Sequence, residues 1–184
     1  MEIQNAPLDG VFVINTQSFE DRRGYFYEAY NRKKFEEAGL NINFVQDNVS
    51  KSVYGTIRGL HYQVGDFAQV KLCRVLVGKV LDIAVDIRFG SPTFGKHIAE
   101  ELSEDNKKQL LIPEGFAHGF VVLSREAVFS YKVGNYYDKD SERTILFNDP
   151  TLNIDWKVPH PVISDKDRTG VKFLDIQNDF TYKK

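Results

Sequence analysis

A chain of 184 residues is long enough to bury a sizeable core. It carries 24 Lys and Arg against 26 Asp and Glu, a formal charge of −2, which argues against the strongly basic face that nucleic-acid binding needs. The single cysteine, Cys73, rules out an internal disulfide, no apolar run approaches the ~20 residues of a membrane span, and MEIQNAPLDG has no basic-then-apolar leader pattern, so a soluble, cytoplasmic protein with neither nucleic-acid nor membrane partner is expected.

Short runs rich in Val, Ile, Phe and Tyr, separated by Gly, Pro, Asn and Asp, dominate the chain. In order they predict strands over Val11–Ile14, Tyr25–Tyr30, Asn43–Asn48, Thr56–Gln63, Gln69–Val77, Lys79–Arg88, His97–Leu102, Gln109–Ile112, Ala117–Leu123, Ala127–Val133 and Arg143–Phe147. One short helix is expected at Asn31–Ala38, where Asn31 can cap and Gly39 can terminate. A second turn is expected at Ser103–Asn106. No repeat or linker divides the chain, so residues 1–184 are expected to form one all-β domain, a sandwich or small barrel.

Strand alternation then places polar groups where a core would not want them. Lys71 shares a face with Cys73, Val75 and Val77, and His118 shares a face with Phe120 and Val122. Taken singly, these are an edge lysine and a satisfied core histidine. Asp82, in a neighbouring strand, is a candidate counter-charge for Lys71. In RGLHYQ, Arg58 and His61 fall on opposite faces under strict alternation; both can face one pocket only if the strand is irregular between them, and Gly59 is the place for a bulge. The four histidines, His61, His97, His118 and His160, include no His-x-His pair. No metal site is expected, the alternative being two histidines and a carboxylate holding a transition metal.

Ten stretches together resemble the dTDP-4-dehydrorhamnose 3,5-epimerase family: FEDRRGYFYEAYN (19–31), FVQDNVSKS (44–52), RGLHYQ (58–63), AQVKL (68–72), DIAVDIR (82–88), GSPTFG (90–95), IPEGFAHGFVVLS (112–124), YKVGNYY (131–137), FNDP (147–150) and ISDKD (163–167). They cover most of the chain in order. The resemblance implies a cupin-type double-stranded β-helix, or jelly roll, with one or two short helices. It also implies a homodimer without metal or cofactor, acting on a dTDP-linked 4-keto-6-deoxy sugar to invert C3 and C5 on the way to dTDP-L-rhamnose.

By the same resemblance His61 is the base, Asp167 the carboxylate that orients it, Tyr131 the proton donor on the other face and Lys71 the cation at the ketone oxygen. His118 helps to bind or polarise the sugar. Arg23, Arg58 and Lys166 are expected at the diphosphate or the sugar; Glu28, Gln46, Asn48 and Glu142 at the nucleotide; and Tyr137 against the base. Gly65-Asp66-Phe67 and Gly134 depart from the family pattern near the expected pocket, and bear on substrate choice. An epimerase acting at one carbon, or on a related nucleotide sugar, is the near alternative; a metal-dependent cupin is the distant one.

Overall fold

The computed structural model describes residues 1–183. Two sheets face each other. One runs in the order β1 (Glu2–Asn5), β2 (Phe12–Asn15), β10 (Gln109–Ile112), β7 (Lys71–Val77), β12 (Glu126–Val133), β5 (Gln46–Val53). The other runs β13 (Glu142–Thr144), β6 (Thr56–Gln63), β11 (Phe116–Val122), β8 (Lys79–Asp86), β9 (His97–Ser103), with β14 (Val162–Ile163) parallel to β6. Apart from them stands a hairpin of β3 (Ser18–Asp21) and β4 (Gly24–Tyr27), closed by Arg22 and Arg23. This is the expected jelly roll.

The core lies in three layers. Between the sheets pack Cys73, Val75, Val80, Ala84, Leu110, Phe120 and Phe129, with Phe120 and Phe129 stacked at 4.1 Å. Outside the first sheet, Ile14, Leu72 and Leu111 meet Phe35 of helix α1 (Arg32–Glu37). Asn31 caps this helix by accepting from Lys34 N, and Gly39 follows it at φ +81°, a left-handed position that glycine adopts without steric cost. Outside the second sheet, Ile57, Leu60, Ile83, Val85 and Val121 are covered by the C-terminal segment through Ile145, Leu152, Trp156 and Phe173. Because both faces of β8, β10 and β11 are buried, these strands read as nearly continuous apolar runs.

Most strands fall where the sequence puts them, with Thr56–Gln63 and Gln109–Ile112 matching end to end. The turn after Ser103 is present, held by Ser103 N donating to Asn106 Oδ1 and Asn106 N to Ser103 Oγ. Two expectations need correction, and two C-terminal elements are not foreseen by the sequence. The strand expected at Asn43–Asn48 runs instead over Gln46–Val53. Its alternation is inverted: Gln46, Asn48, Ser50 and Ser52 turn inward, and Val49 and Val53 outward. On this inward side Asn48 and Ser50 line a cavity rather than a core, so the usual apolar signal is missing. The strand expected over Tyr25–Tyr30 is half of the β3–β4 hairpin and ends at Tyr27. The C-terminal elements β14 and α2 (Asp165–Arg168) have no apolar periodicity, and only the tertiary structure reveals them.

Candidate active site

At one end of the sandwich the two sheets part around a cavity of about 420 Å³. Its walls come from β5, β7 and β12 of the first sheet and from β6, β11 and the C-terminal segment of the second. Lys71, Tyr131 and Asn48 project from the first; Arg58, His61 and His118 project from the second.

Arg58 and His61 do face the same side, and the device is the one expected at Gly59. On β11, Phe120 pairs with Arg58 and His118 with His61, so three positions of β6 span two of β11. Gly59 takes the extra step at φ +132°. A Cβ there would stand 2.5 Å from Gly119 Cα and 2.8 Å from the His118 carbonyl oxygen, so only glycine fits.

His61 Nε2 lies 2.5 Å from Asp167 Oδ1. Asp167 is 3% exposed. Burial pushes its carboxyl up, but the bond and charge of His61, with further bonds from Ser164 and the Gly59 backbone, outweigh burial and hold it below the usual carboxylate range. An ionised carboxylate only accepts, so Nε2 carries the proton and Nδ1 is left as the basic nitrogen. The parallel pairing of β14 with β6 and the cap of α2, in which Ser164 Oγ accepts from Asp167 N, deliver Asp167 to this spot.

Lys71 is buried. Desolvation lowers its pKa against the opposing pull of Cys73, Asp82 and Glu142. Its Nζ donates to the His61 carbonyl oxygen at 3.3 Å, from one sheet to the other, and this is its only hydrogen bond within the described residues. Two of its three N–H groups are thus left for a ligand in the cavity. Tyr131 stands on the opposite sheet from His61, packed against Phe129. Burial raises its phenol pKa, with Arg58 opposing, so the hydroxyl keeps its proton at neutral pH. A base on one wall, a protonated phenol on the other and an ammonium beside them can remove a proton next to a carbonyl, stabilise the enolate and return a proton from the far side.

At the mouth, Glu142 Oε2 accepts from Tyr137 Oη at 2.9 Å and from Lys166 Nζ at 2.5 Å. Desolvation raises the Glu142 carboxyl, but these bonds outweigh it and the group stays ionised. Gln46 lies behind the rim, donating to Asn48 Oδ1 and accepting from Tyr137 N.

A family model described as dTDP-4-dehydrorhamnose 3,5-epimerase matches residues 5–175. The chain belongs to the dTDP-4-dehydrorhamnose 3,5-epimerase family. A relative from Shigella flexneri of that name is 53% identical over 95% of this chain and 97% of its own. The crystal structure of a dTDP-4-dehydrorhamnose 3,5-epimerase from Elizabethkingia anophelis superposes with a TM-score of 0.90 at 55% identity, covering 95% of this chain and 97% of that one. A Legionella pneumophila dTDP-6-deoxy-D-glucose-3,5-epimerase, solved with dTDP-4-keto-L-rhamnose, gives 0.95 at 44% identity over 100% and 99% of the two chains.

Of the residues expected to serve this epimerase family's reaction, the cavity gathers His61, Tyr131, Asp167, Lys71, Asn48, Arg58, His118, Tyr137, Glu142 and Lys166. Three do not join them, and one of these is Gln46, which lies behind the rim and reaches the site through Asn48 and Tyr137. Arg23 sits exposed at the tip of the β3–β4 hairpin, paired with Asp21. Glu28 lies beside α1, accepting from Asn31 and Lys34. Gly134 is also misplaced by the sequence reading: it lines a different concavity, on the outer side of the first sheet, where a Cβ would meet Val70 at 2.5 Å. Asp82 is hydrogen-bonded to His118 at 2.7 Å and acts on Lys71 through its charge alone.

Sequence reasoning passed over Gln63, which is buried and lines the cavity. Its amide donates to the carbonyls of Phe67 and Tyr136 and accepts from Asp138 N, fixing the loop that carries Tyr137. A glutamine on a run of buried strand positions was the available signal. The Gly65–Phe67 turn is tied to the same loop, through Asn135 Nδ2 donating to the Asp66 carbonyl.

The residues that could hold a metal do not match the two-histidine arrangement. His61 and His118 are each bonded to a different carboxylate. Among the described residues, the group of candidate ligands that comes together is Cys73, Asp82 and His118. No helix among the described residues is long and apolar enough to cross a membrane.

Proposed function

We propose that this chain inverts C3 and C5 of dTDP-4-dehydro-6-deoxy-D-glucose, yielding the L-rhamnose precursor, by proton abstraction and reprotonation beside the C4 ketone. The observation that carries the reading is the facing arrangement of Asp167-held His61 and protonated Tyr131 in one cavity, with the Lys71 ammonium beside them.

His61 Nδ1 takes the C–H proton. The electron pair moves onto O4, where Lys71 donates to the enolate oxygen. Tyr131 returns a proton from the opposite face; solvent then restores the phenol and accepts the proton held by the His61 imidazolium. The sequence runs once at each carbon, and no electrons are gained or lost overall. Asp167 stabilises the imidazolium formed in each round. Arg58 and Lys166 supply positive charge for the diphosphate, since their donors match phosphate oxygens, and Asn48, Gln46, Glu142 and Tyr137 hold the nucleoside.

Arg23 and Glu28 lie outside the chain's own cavity, so their part in binding requires a second copy. We infer a homodimer in which the β3–β4 hairpin of one chain reaches the cavity mouth of the other. The exposure of Phe19, Tyr25 and Phe26 on that hairpin, and of Val49 and Val53 on edge strand β5, supports this reading. A cytoplasmic location fits a chain with one buried, unpaired cysteine.

The deciding experiment is incubation with the dTDP-4-keto sugar in D2O, read by mass spectrometry and NMR. Deuterium at both C3 and C5 with inverted product is expected. Deuterium at C3 alone would replace the reading with a 3-epimerase, and no incorporation would overturn it.

A further inference from the structure

The cavity floor holds a second histidine–carboxylate pair with a thiol against it. His118 Nε2 is 2.7 Å from Asp82 Oδ1 and 3.7 Å from Cys73 Sγ, and the three ligand atoms lie within 4.8 Å of one another. Cys73 and Asp82 are fully buried and His118 is 6% exposed. The second carboxylate oxygen, Asp82 Oδ2, is buried with no hydrogen-bond partner among the described residues, which leaves an acceptor unsatisfied in a place where that is costly. The proposed proton chemistry uses neither Cys73 nor this free oxygen.

We propose that Cys73, Asp82 and His118 form a binding site for a thiophilic divalent metal such as zinc, and that an ion bound there shuts the enzyme down.

The donor set suits such an ion. Tetrahedral zinc, with bonds of about 2.3 Å to sulfur and 2.0 Å to nitrogen, sets those two atoms about 3.5 Å apart, close to the 3.7 Å found between Cys73 and His118. The Nε2–Oδ1 pair must open by about half an ångström to admit the ion, and the unpartnered Oδ2 offers it a carboxylate atom that costs no existing bond. On binding, the thiol proton leaves to water through the cavity and the imidazole proton moves to Nδ1. The thiolate and carboxylate then offset the two charges of the ion, which a buried site requires. His118 lines the cavity, which gives the ion a route in. Bound there, the ion adds positive charge beside Lys71 and takes His118 from its role at the sugar. The binding itself does not depend on the proposed function; the inhibition rests on it.

The test uses the intact protein, zinc chloride and cobalt chloride. Calorimetry is expected to give one zinc per chain, and cobalt a thiolate-to-metal charge-transfer band in the near ultraviolet. Turnover is expected to fall as zinc occupies the site and to return with EDTA. Cys73→Val removes a ligand while keeping a small apolar core residue. It should remain active without metal, lose the cobalt band and bind zinc more than about 100-fold more weakly, since outer-shell changes alone cost 10- to 100-fold. Should that variant fold poorly, Cys73→Ala takes its place, with the cobalt band as readout. No cobalt–thiolate band, or equal zinc inhibition of the wild type and the Cys73 variant, would overturn the proposal. Neither result bears on the D2O experiment, so the two readings fail separately.

Discussion

His61 and His118 are direct cross-strand partners on β6 and β11, yet each is bonded to its own carboxylate, Asp167 and Asp82 respectively. The pairings differ in setting. His61 is partly open to the cavity, whereas His118 is buried and desolvation lowers its pKa against the pull of Asp82. One histidine is placed to exchange protons, and the other is held neutral.

Asp167→Asn keeps the size of the side chain and removes its charge. The imidazolium then loses its stabilising partner, and the ring loses the preference that leaves Nδ1 basic. Steady-state kinetics are expected to give a kcat lower by roughly 10²- to 10⁴-fold with KM little changed. A change confined to KM would show that Asp167 acts in binding.

Tyr131→Phe removes the far-face donor and leaves the base untouched. Deuterium wash-in at the carbons flanking the ketone should persist, while formation of inverted product falls further than exchange does. Parallel loss of both would take the acid role from Tyr131.

Lys71→Met preserves the apolar stem and deletes the ammonium. Loss of one charge-stabilising donor is expected to cost on the order of 10² to 10³ in kcat. Burial lowers the Lys71 pKa, so the group sheds its proton below the usual lysine value of about 10.4. The wild-type kcat should therefore decline with rising pH before that value is reached, and the residual activity of the variant should lack this decline.

Gly59→Ala tests the bulge. The added methyl meets the Gly119 backbone at 2.5 Å, at a φ of +132° that alanine resists. Unfolding in urea should show a loss of more than about 2 kcal/mol, together with reduced turnover as the register that aims His61 slips. Unchanged stability would mean that the strands part at no cost.

Asp86 anchors a buried network, accepting from Arg88, Ser91 and Thr93. Burial raises its carboxyl, but these bonds outweigh it and hold it below the usual range. Its contribution to stability is thus full above about pH 3.9 and fades as pH falls through the lower folded value. Asp86→Ala leaves Arg88 without its partner and should destabilise by about 3 to 5 kcal/mol. A pH series of urea unfolding should also show a shallower acid slope for the variant.

The local sequence was enough to specify the β class, ten of the strand positions to within a few residues, the helix at Asn31, and the irregularity at Gly59. Each of these follows from short-range physics: alternation, capping, and the freedom of glycine at positive φ. It also identified most of the cavity residues through their match to family motifs. Strand patterning alone could not bring Asp167 to His61 across 106 positions, because the short C-terminal elements that do so pair through backbone bonds and carry no periodic pattern; that pairing was legible only through the family resemblance. Nor could it see that β5 turns its polar side inward, since a strand that lines a cavity inverts the apolar rule by which strands are recognised. Only the folded chain bonds Asp82 to His118 while leaving its charge within reach of Lys71, and only the folded chain leaves Arg23 and Glu28 outside the cavity, for burial and pairing depend on how the two sheets close on each other.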